Sequence, residues 1–509
     1  MPYALVTMTR LHKFFARMTV AAVLQFAAGG ALAQVQQSLA LVRVMYTTQK
    51  NTVKPQGALK EKIDALDREI ADTARSGDEA QIRRLYAKGM ALLAGGEWTG
   101  ALDYRNSLVL RTDRVIADST KPLQLRLEQT YSPDFVPDDP LIARVTLHQP
   151  AAGAGQLGAK IRDIATLEGV PKGLKSAPFK FNCDLAGVAD GRAVLRVEMQ
   201  SKGQSLGAVQ LPVDLVSGLD ERMRKIEDGW NRIHGFDGFR GDVLYPIDYI
   251  RNVNSSRIAA GTFNAGSELK NAEANLAMLT SGKDPFAGKT GDFKRHYFFE
   301  DAGEVMPYRL YVPTTYDGTK AFPLIIALHG LGGTEDSFFA GYEMLFPKLA
   351  EQRGYIVAAP LGFRVDGFYG YGSNPSAKLS EKDVMNVLAL MRKNYNIDSN
   401  RIYLAGHSMG GIGTWYLGVQ FPEIWAAIAP FSGLGDAKSV ERMKNIPEFI
   451  VHGDADPTVN VQSSRTMVAE MKRLGVEYQY IEVPGGNHSS VVAPNFKGAF
   501  DFFDAHRKK

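Results

Sequence analysis

The spacing of hydrophobic positions changes along the 509-residue chain, and each change predicts a different kind of element. From about residue 300 to the C-terminus, short apolar runs alternate with segments whose apolar positions recur every three or four residues. Such alternation is typical of a parallel sheet covered by helices on both faces. We predict strands near 308–312, 323–328, 355–360, 401–405, 425–431, 447–451 and 478–483, and helices near 380–394, 409–420, 461–474 and 492–506.

Two helix boundaries carry sequence signals. Ser380 with Asp383 three residues later predicts the start of the helix at 380. Gly475 follows the last periodic residue of the helix from 461 and predicts its C-terminal cap.

The N-terminal half shows two other patterns. Residues 34–107 have helical spacing, with stripes such as Ile63, Leu66 and Ile70. From 108 to 216 the period becomes two, which predicts an antiparallel β-sandwich with one solvated face. Its role as a polysaccharide-binding, docking, capping or simple packing module stays open. Residues 217–290 look helical, with glycine breaks, and predict a tether.

The first 33 residues resemble a secretory leader. Arg10, Lys13 and Arg17 precede the apolar stretch 18–30, and Ala31-Leu32-Ala33 forms an A-x-A cleavage site. The stretch is short for a membrane span, although a membrane anchor is the alternative. We therefore expect a secreted or periplasmic protein without stable membrane insertion after cleavage.

Charge and cysteine content exclude several classes of function. The chain has 59 basic and 55 acidic residues, and the leader contains three of the basic ones, so the mature balance is 56 against 55. Without a concentrated basic stretch, nucleic-acid binding has no electrostatic support. The single Cys183 rules out an intramolecular disulfide, and the absence of C-x-x-C and H-E-x-x-H leaves no sequence support for a metal. We expect no cofactor.

One segment, Gly406-His407-Ser408-Met409-Gly410, stands between a predicted strand and a predicted helix. In that setting G-x-S-x-G forms a sharp turn that lifts the serine above the sheet, because the glycines leave room for the backbone to reverse. Ser408 is therefore the candidate nucleophile.

A serine nucleophile needs a histidine base. Downstream of Ser408 the histidines are at 452, 488 and 506. His488 lies in a glycine-rich turn after the strand at 478–483, from which a base can reach over the sheet edge, so we assign it as the base. His452 is expected to brace its own loop and His506 to lie at the end of the last helix.

The base in turn needs a carboxylate to orient it. Asp454 and Asp456 both follow the strand at 447–451. Because Pro457 favours extended geometry at the residue before it, we assign Asp456 as the orienting carboxylate and Asp454 as a turn residue.

Stabilising a tetrahedral oxyanion requires two fixed N–H donors. We assign them to the amides of Met409, directly after the serine, and Leu331, in the glycine-rich loop after the strand at 323–328, with Gly332 as the alternative to Leu331. The same loop contains no G-x-G-x-x-G and no G-K-[ST], which argues against a nucleotide site.

A loop at 362–375 is rich in glycine and aromatic residues. Loops at the carboxyl ends of strands bind ligands in open α/β sheets, and we predict that Phe368, Tyr369 and Tyr371 form a substrate wall. The alternative, an aromatic plug that packs on its own domain, stays open.

From about Tyr308 to the C-terminus, the chain resembles the esterase group of α/β-hydrolases. This group includes polyhydroxybutyrate-depolymerase-like, feruloyl-esterase-like and acetylxylan-esterase-like enzymes, and its neighbours are predicted peptidases related to prolyl oligopeptidase. The resemblance rests on Tyr308-Arg309-Leu310-Tyr311-Val312-Pro313, His329-Gly330-Leu331-Gly332, residues 397–411, Gly413-Thr414-Trp415 and His452-Gly453-Asp454-Ala455-Asp456.

The resemblance implies an α/β-hydrolase domain over residues 291–509, with Ser408, His488 and Asp456 as a catalytic triad. The expected activity is hydrolysis of a carboxylic ester through an acyl-enzyme, with a small-molecule ester or one linked to a polysaccharide or polyester as substrate. The alternatives are a prolyl-oligopeptidase-like peptidase and a binding protein with a vestigial hydrolase domain. We also expect a chain that begins near Thr290 to fold and act on small esters.

Overall fold

The chain divides into two units, each with buried cores of its own. The computed structural model describes residues 39–138, 140–151, 157–261, 263–373 and 375–508. One unit comprises the described residues up to Asp228 together with Pro246–Glu273, and the other comprises Gly229–Tyr245 and the residues from Ala274 onward. The predicted leader at 1–33 lies outside the described residues. Among the described helices, none is both long and apolar enough to cross a membrane.

Within the described residues, the first unit starts with four helices, α1 (Leu39–Val53), α2 (Gly57–Ser76), α3 (Glu79–Leu93) and α4 (Gly100–Ser107). The apolar stripe Ile63, Leu66 and Ile70 of α2 is buried against Ile82 and Leu85 of α3. Helical spacing of the apolar residues therefore places one face of each helix in a common core.

Two sheets follow. A three-stranded antiparallel sheet has the order β1-β3-β6, and a five-stranded sheet has the order β2-β8-β7-β4-β5. Alternate residues of both sheets enter one hydrophobic cluster, which also contains the buried Cys183. One pairing departs from the antiparallel expectation, since β2 pairs with β8 in parallel. The strands are β1 (Leu108–Thr112), β2 (Ile116–Asp118), β3 (Leu123–Gln129), β4 (Leu141–Pro150), β5 (Leu157–Glu168), β6 (Phe179–Cys183), β7 (Gly191–Ser201) and β8 (Gln204–Val216).

Three helices follow β8, namely α5 (Leu219–Trp230), α6 (Arg240–Asn254) and α7 (Ala265–Thr280). The residues expected to form a separate tether are instead shared between the two units, with Pro246–Glu273 in the first and Gly229–Tyr245 in the second.

The second unit is built on an eight-stranded sheet with the order β16-β15-β14-β13-β11-β12-β10-β9. The strands from β11 to β16 run parallel, whereas β9 and β10 are antiparallel to their neighbours. The strands are β9 (Gly291–Phe299), β10 (Glu304–Val312), β11 (Phe322–Leu328), β12 (Ile356–Pro360), β13 (Ile397–His407), β14 (Ala427–Phe431), β15 (Glu448–Gly453) and β16 (Tyr478–Val483).

Helices cover both faces of this sheet, because alternate residues of its strands enter different clusters. Leu324 and Ile326 of β11 pack with α10, α11 and α12, whereas Ile325 and Ala327 pack with α9 and α13. The helices are α8 (Ser337–Ala340), α9 (Leu345–Arg353), α10 (Pro375–Asn394), α11 (Met409–Gln420), α12 (Gln462–Leu474) and α13 (Phe496–Ala505). The fold is that of an α/β-hydrolase.

All seven predicted strands and four predicted helices of this unit are present, and Gly475 ends α12 with a φ of 70° as predicted. The predicted start of α10 is wrong, because the helix begins at Pro375. Ser380 and Asp383 lie inside it and are buried. Ser380 Oγ accepts a hydrogen bond from the Tyr369 N–H, and Asp383 Oδ2 accepts one from the Phe363 N–H. These two side chains therefore fix the loop at 362–375.

The edge strand β9 was not predicted, because Lys294, Arg295 and His296 interrupt its apolar pattern. Arg295 is nevertheless buried, and its Nε donates to the buried carboxylate of Asp242 at 2.9 Å. Asp242 also accepts from the N–H of His296 at 2.7 Å. A chain that begins at Thr290 lacks Asp242, so the expectation that it folds as a complete unit conflicts with this pairing.

Candidate active site

Ser408 lies in a sharp turn between β13, which ends at His407, and α11, which begins at Met409. Its φ of 58° and ψ of −116° are unusual for a residue with a side chain. A Cβ at Gly406 would lie 2.2 Å from the carbonyl oxygen of Gly410, and one at Gly410 would lie 2.0 Å from that of Leu328. Only glycine fits at both positions, which is the physical reason for the G-x-S-x-G pattern.

The predicted base and carboxylate both lie next to this serine. His488 Nε2 is 2.7 Å from Ser408 Oγ, and His488 Nδ1 is 2.7 Å from Asp456 Oδ2. The Asp456 side chain is fully shielded from solvent, and that of His488 is 16% exposed. The structure therefore brings the three residues together in one continuous hydrogen-bonded chain.

Asp456 is held as an acceptor. Burial acts to raise the pKa of its carboxyl, but the hydrogen bonds from His488 and from the N–H groups of Val459 and Thr458 outweigh burial and hold that pKa below its usual value. The carboxylate stays ionised and can only accept, so it holds the proton of His488 on Nδ1. The Nε2 atom then faces Ser408 Oγ with a free lone pair.

The alternative residues occupy other places. Asp454 Oδ1 accepts the N–H of Gly485 at 2.7 Å, which closes the turn below His488. His452 is buried, with Nδ1 2.7 Å from Ser464 Oγ and Nε2 3.0 Å from the Val459 carbonyl, so it braces the loop of Asp456. His506 Nδ1 lies 2.6 Å from the Phe502 carbonyl at the end of α13.

The amides of Met409 and Leu331 are the predicted oxyanion donors. Met409 is the first residue of α11, so its N–H has no acceptor within the helix. The N–H of Leu331 donates to no group among the described residues. The alternative, Gly332, donates to the Val365 carbonyl at 2.8 Å and is already engaged. A Cβ on Gly330 would lie 3.4 Å from Ser408 Cβ, which puts this loop against the serine.

The predicted substrate wall is wrong for Tyr369. Its side chain is fully buried, and its hydroxyl donates to the His329 carbonyl at 3.1 Å. A Cβ on Gly413 would lie 2.6 Å from the Tyr369 ring, so the ring fills space that glycine leaves open on α11. Phe368 is half-buried against the core, and Tyr371 is 37% exposed. At Tyr369 the loop is therefore a plug on its own domain.

Sequence reasoning missed the side chains that hold the backbone of His488. Its carbonyl lies 2.9 Å from His407 Nε2 and accepts from Ser432 Oγ at 3.1 Å. The only sequence signal for His407 is its place inside the serine motif. Within the described part of the chain, no cluster of three or more potential metal ligands occurs.

Comparison with protein families addresses the same region. Residues 300–491 match the model of the family described as putative esterase. The matched region contains Ser408, Asp456 and His488. Outside the region, the esterase-family match does not extend to the sheets of the first unit.

The curated relatives of the esterase region include two kinds of esterase. The chain is 31% identical over 174 residues to a bifunctional acetylxylan esterase/xylanase, XynS20E, of Neocallimastix patriciarum, across 34% of this chain and 24% of that protein. It is 32% identical over 120 residues to feruloyl esterase B of Neurospora crassa, across 22% of this chain and 40% of the relative. The chain thus spans less than half the length of either relative.

Among solved structures, a thermostable esterase aligns with 77% of this chain and 98% of its own, at 18% identity and a TM-score of 0.37.

Proposed function

We propose that this protein is a serine esterase that hydrolyses carboxylic esters through an acyl-enzyme on Ser408. The observation that carries the proposal is the chain of two 2.7 Å contacts from Ser408 Oγ through His488 to Asp456. Ser408 itself is held in a strained turn. The esterase-family match over residues 300–491 supports the same chemistry.

Each residue then has a defined role. Ser408 Oγ attacks the acyl carbon while its proton passes to His488 Nε2, and Asp456 stabilises the imidazolium that forms. The N–H groups of Met409 and Leu331 donate to the oxyanion. Collapse of the tetrahedral intermediate breaks the ester bond, and the leaving alcohol takes the proton from His488. Water, activated by the same histidine, then releases the acid and restores Ser408.

We also propose that the acyl group is aromatic or a longer aliphatic chain rather than acetyl. Leu331, Val365 and Leu434 are 58%, 41% and 39% exposed on loops that follow β11, β12 and β14. Since parallel strands end at one edge of the sheet, these three side chains follow the same end as Ser408, where an apolar acyl group can cover them. The relatives' names include both acetylxylan and feruloyl esterases. The exposed Leu331, Val365 and Leu434 fit an aromatic acyl group such as feruloyl better than acetyl.

A panel of p-nitrophenyl acetate, butyrate and octanoate with methyl esters of hydroxycinnamic acids tests both proposals. We expect turnover by the wild type, none above background by Ser408→Ala, and a higher kcat/KM for the larger acyl groups. Leu434→Ser should lower kcat/KM for these esters about tenfold, as expected for one lost apolar contact, and spare the acetate. A preference for acetate would contradict the proposed acyl specificity while leaving the esterase intact.

The two alternatives have their own tests. Faster cleavage of a matched amide than of the ester would favour a prolyl-oligopeptidase-like peptidase. A folded wild type that fails to react with a fluorophosphonate at Ser408 would favour a binding protein with a vestigial hydrolase domain.

We further propose a domain organisation of 34–107 helical, 108–216 sandwich-like and 291–509 catalytic, with residues 217–290 divided between the two units and export directed by residues 1–33. Cell fractionation and N-terminal sequencing of the exported protein test the leader, which should end at Ala33.

A further inference from the structure

The backbone carbonyl of His488 is tied to the two strands that flank the serine. It lies 2.9 Å from Nε2 of His407, the last residue of β13, and 3.1 Å from Oγ of Ser432, which directly follows β14. The N–H of Ser408 itself donates to the carbonyl of Phe431, the last residue of β14, at 2.9 Å. One carbonyl therefore sets the position of the base relative to the nucleophile.

The partners of His407 define its tautomer. A carbonyl oxygen only accepts hydrogen bonds, so Nε2 of His407 must carry the proton. The Nδ1 atom then has a free lone pair, and the Tyr342 hydroxyl lies 2.9 Å from it in a position to donate. The imidazole of His407 is buried, and burial lowers its pKa to about 4, so the ring stays neutral and keeps this tautomer at neutral pH.

The segment that presents the Tyr342 hydroxyl is strained. Tyr342, Glu343 and Met344 have φ values of 52°, 56° and 57°, three consecutive left-handed residues without a glycine. Left-handed backbone is unfavourable for residues that carry a Cβ. The Tyr342 ring is fixed by an edge contact with Phe496 at 5.2 Å between ring centroids. Strain held in place by packing is characteristic of functional sites.

We propose that Tyr342 and His407 are positioning residues for His488, a role that rests on the proposed function. The Tyr342 hydroxyl fixes the tautomer of His407, and the Nε2–H of His407 fixes the His488 backbone so that its imidazole meets Ser408 Oγ. Neither residue takes part in a proton-transfer step. Because a displacement of about 1 Å at a catalytic group can cost about 10²-fold in rate, loss of this support lowers kcat.

Two substitutions of nearly the same chemistry separate this role from packing. His407→Gln can place an amide N–H near the position of Nε2 and keep the donor to His488. His407→Asn places its amide near the position of Nδ1 and removes that donor. We expect His407→Asn to lower kcat about 10²-fold with KM changed less than about threefold, and His407→Gln to recover most of the loss. Tyr342→Phe should lie between them, at about tenfold, because His407 keeps its Nε2 donor but loses one of the two partners that fix its tautomer.

Thermal unfolding of each variant provides the control for global stability. Equal kcat values in folded Asn and Gln variants would overturn the proposal, because only the Gln variant keeps a donor to the His488 carbonyl. A large rise in KM with unchanged kcat would also overturn it.

A second measurement does not depend on turnover. In ¹⁵N-histidine NMR spectra, with the His407 signals assigned by their loss in His407→Gln, we expect the Nε2–H tautomer in the wild type and a mixture of tautomers in Tyr342→Phe. A wild-type His407 protonated on Nδ1 would overturn the proposal even in an active esterase. Absence of ester hydrolysis by the wild type would instead remove the proposed function and leave this tautomer result standing.

Discussion

The two ends of β15 hold carboxylates in opposite environments. Asp456, three residues past the carboxyl end, accepts hydrogen bonds from His488 and from two backbone N–H groups. Glu448 opens the strand at its amino end and is fully buried. It accepts one hydrogen bond, from Trp415 Nε1 at 2.7 Å, and its Oε1 has no partner among the described residues. Burial raises the pKa of Glu448 to about 8, whereas donors hold that of Asp456 below its usual value.

The comparison teaches that burial alone does not decide the charge of these groups. At the carboxyl end the chain leaves the sheet, so loop N–H groups are free of ladder hydrogen bonds and can point at an anion. At the amino end the backbone of Glu448 stays in the ladder and only one side chain reaches it. The same strand therefore carries an ionised acceptor at one end and a neutral acid at the other near pH 7.

The largest effect on activity is expected from substituting Ser408 or His488, the two residues linked to the ionised Asp456. Ser408→Ala and His488→Ala should each lower kcat on the order of 10⁶-fold, and the double variant should lose no more, because the residues act as a unit. Steady-state kinetics on one good ester measures this. A double variant far slower than either single one would show that they act independently.

The carboxylate itself should matter less. Asp456→Asn should lower kcat on the order of 10⁴-fold, because an amide can donate to Nδ1 and favour the wrong tautomer of His488. Asp454→Asn is the matched control, and its loss should stay within about tenfold since an amide oxygen can still accept the Gly485 N–H. Equal losses in the two variants would show that the turn, rather than the charge on Asp456, is what counts.

At Glu448, the amino end of β15, we expect the ionisation of the side chain to affect protein stability instead of the catalytic rate. The folded pKa of about 8 exceeds the ordinary 4.5 of an unfolded glutamate, so between these values the unfolded state loses a proton that the folded state keeps. The contribution of Glu448 to the free energy of unfolding is therefore complete below pH 4.5 and falls as the pH rises towards 8, by up to about 5 kcal/mol.

Glu448→Gln mimics the neutral acid and should remove this slope, as measured by denaturant unfolding from pH 5 to 8. Glu423→Gln, at an exposed position, is the control and should leave it unchanged. A slope that persists in Glu448→Gln would contradict a neutral Glu448.

Asp242 is a third buried carboxylate, and it differs from Asp456 and Glu448 because its partner, Arg295, is a cation. Asp242 is fully buried against Arg295. Asp242→Ala leaves a buried guanidinium without its anion and should lower the free energy of unfolding by about 3–5 kcal/mol. The exposed Asp237→Ala should change it by less than about 0.5 kcal/mol. Denaturant unfolding compares the two, and a similar small effect in both would show that Arg295 finds another partner.

Much of the catalytic unit could be predicted because its signals are local. Four of the parallel strands, β11, β12, β14 and β15, are buried along their whole length and are largely apolar. The close approach of backbone at Gly406 and Gly410 requires the two glycines of the serine turn. Ser408, Asp456 and His488 follow β13, β15 and β16, and the carboxyl ends of these parallel strands lie at one edge of the sheet.

The rest depends on partners distant in sequence. β9 contains charged residues that are compatible with burial only because Asp242 lies beside Arg295, and nothing near residue 295 indicates this. The sequence around Tyr369 predicts an exposed aromatic residue in a loop. Its burial depends on the space that Gly413 leaves open on α11, which the local sequence does not indicate. Ser380 and Asp383 satisfy a capping pattern, but their side chains serve the loop that they face rather than their own helix.

The anchored ring of Tyr369 has a practical consequence for altering selectivity. Because its hydroxyl is tied to His329 and its ring occupies the space at Gly413, residue 369 must be retained in any randomised library of this loop. Positions 365, 366, 371, 372 and 373 are exposed and can be diversified or lengthened around that fixed point. The exposed positions of this loop can thus be varied while Tyr369 is kept.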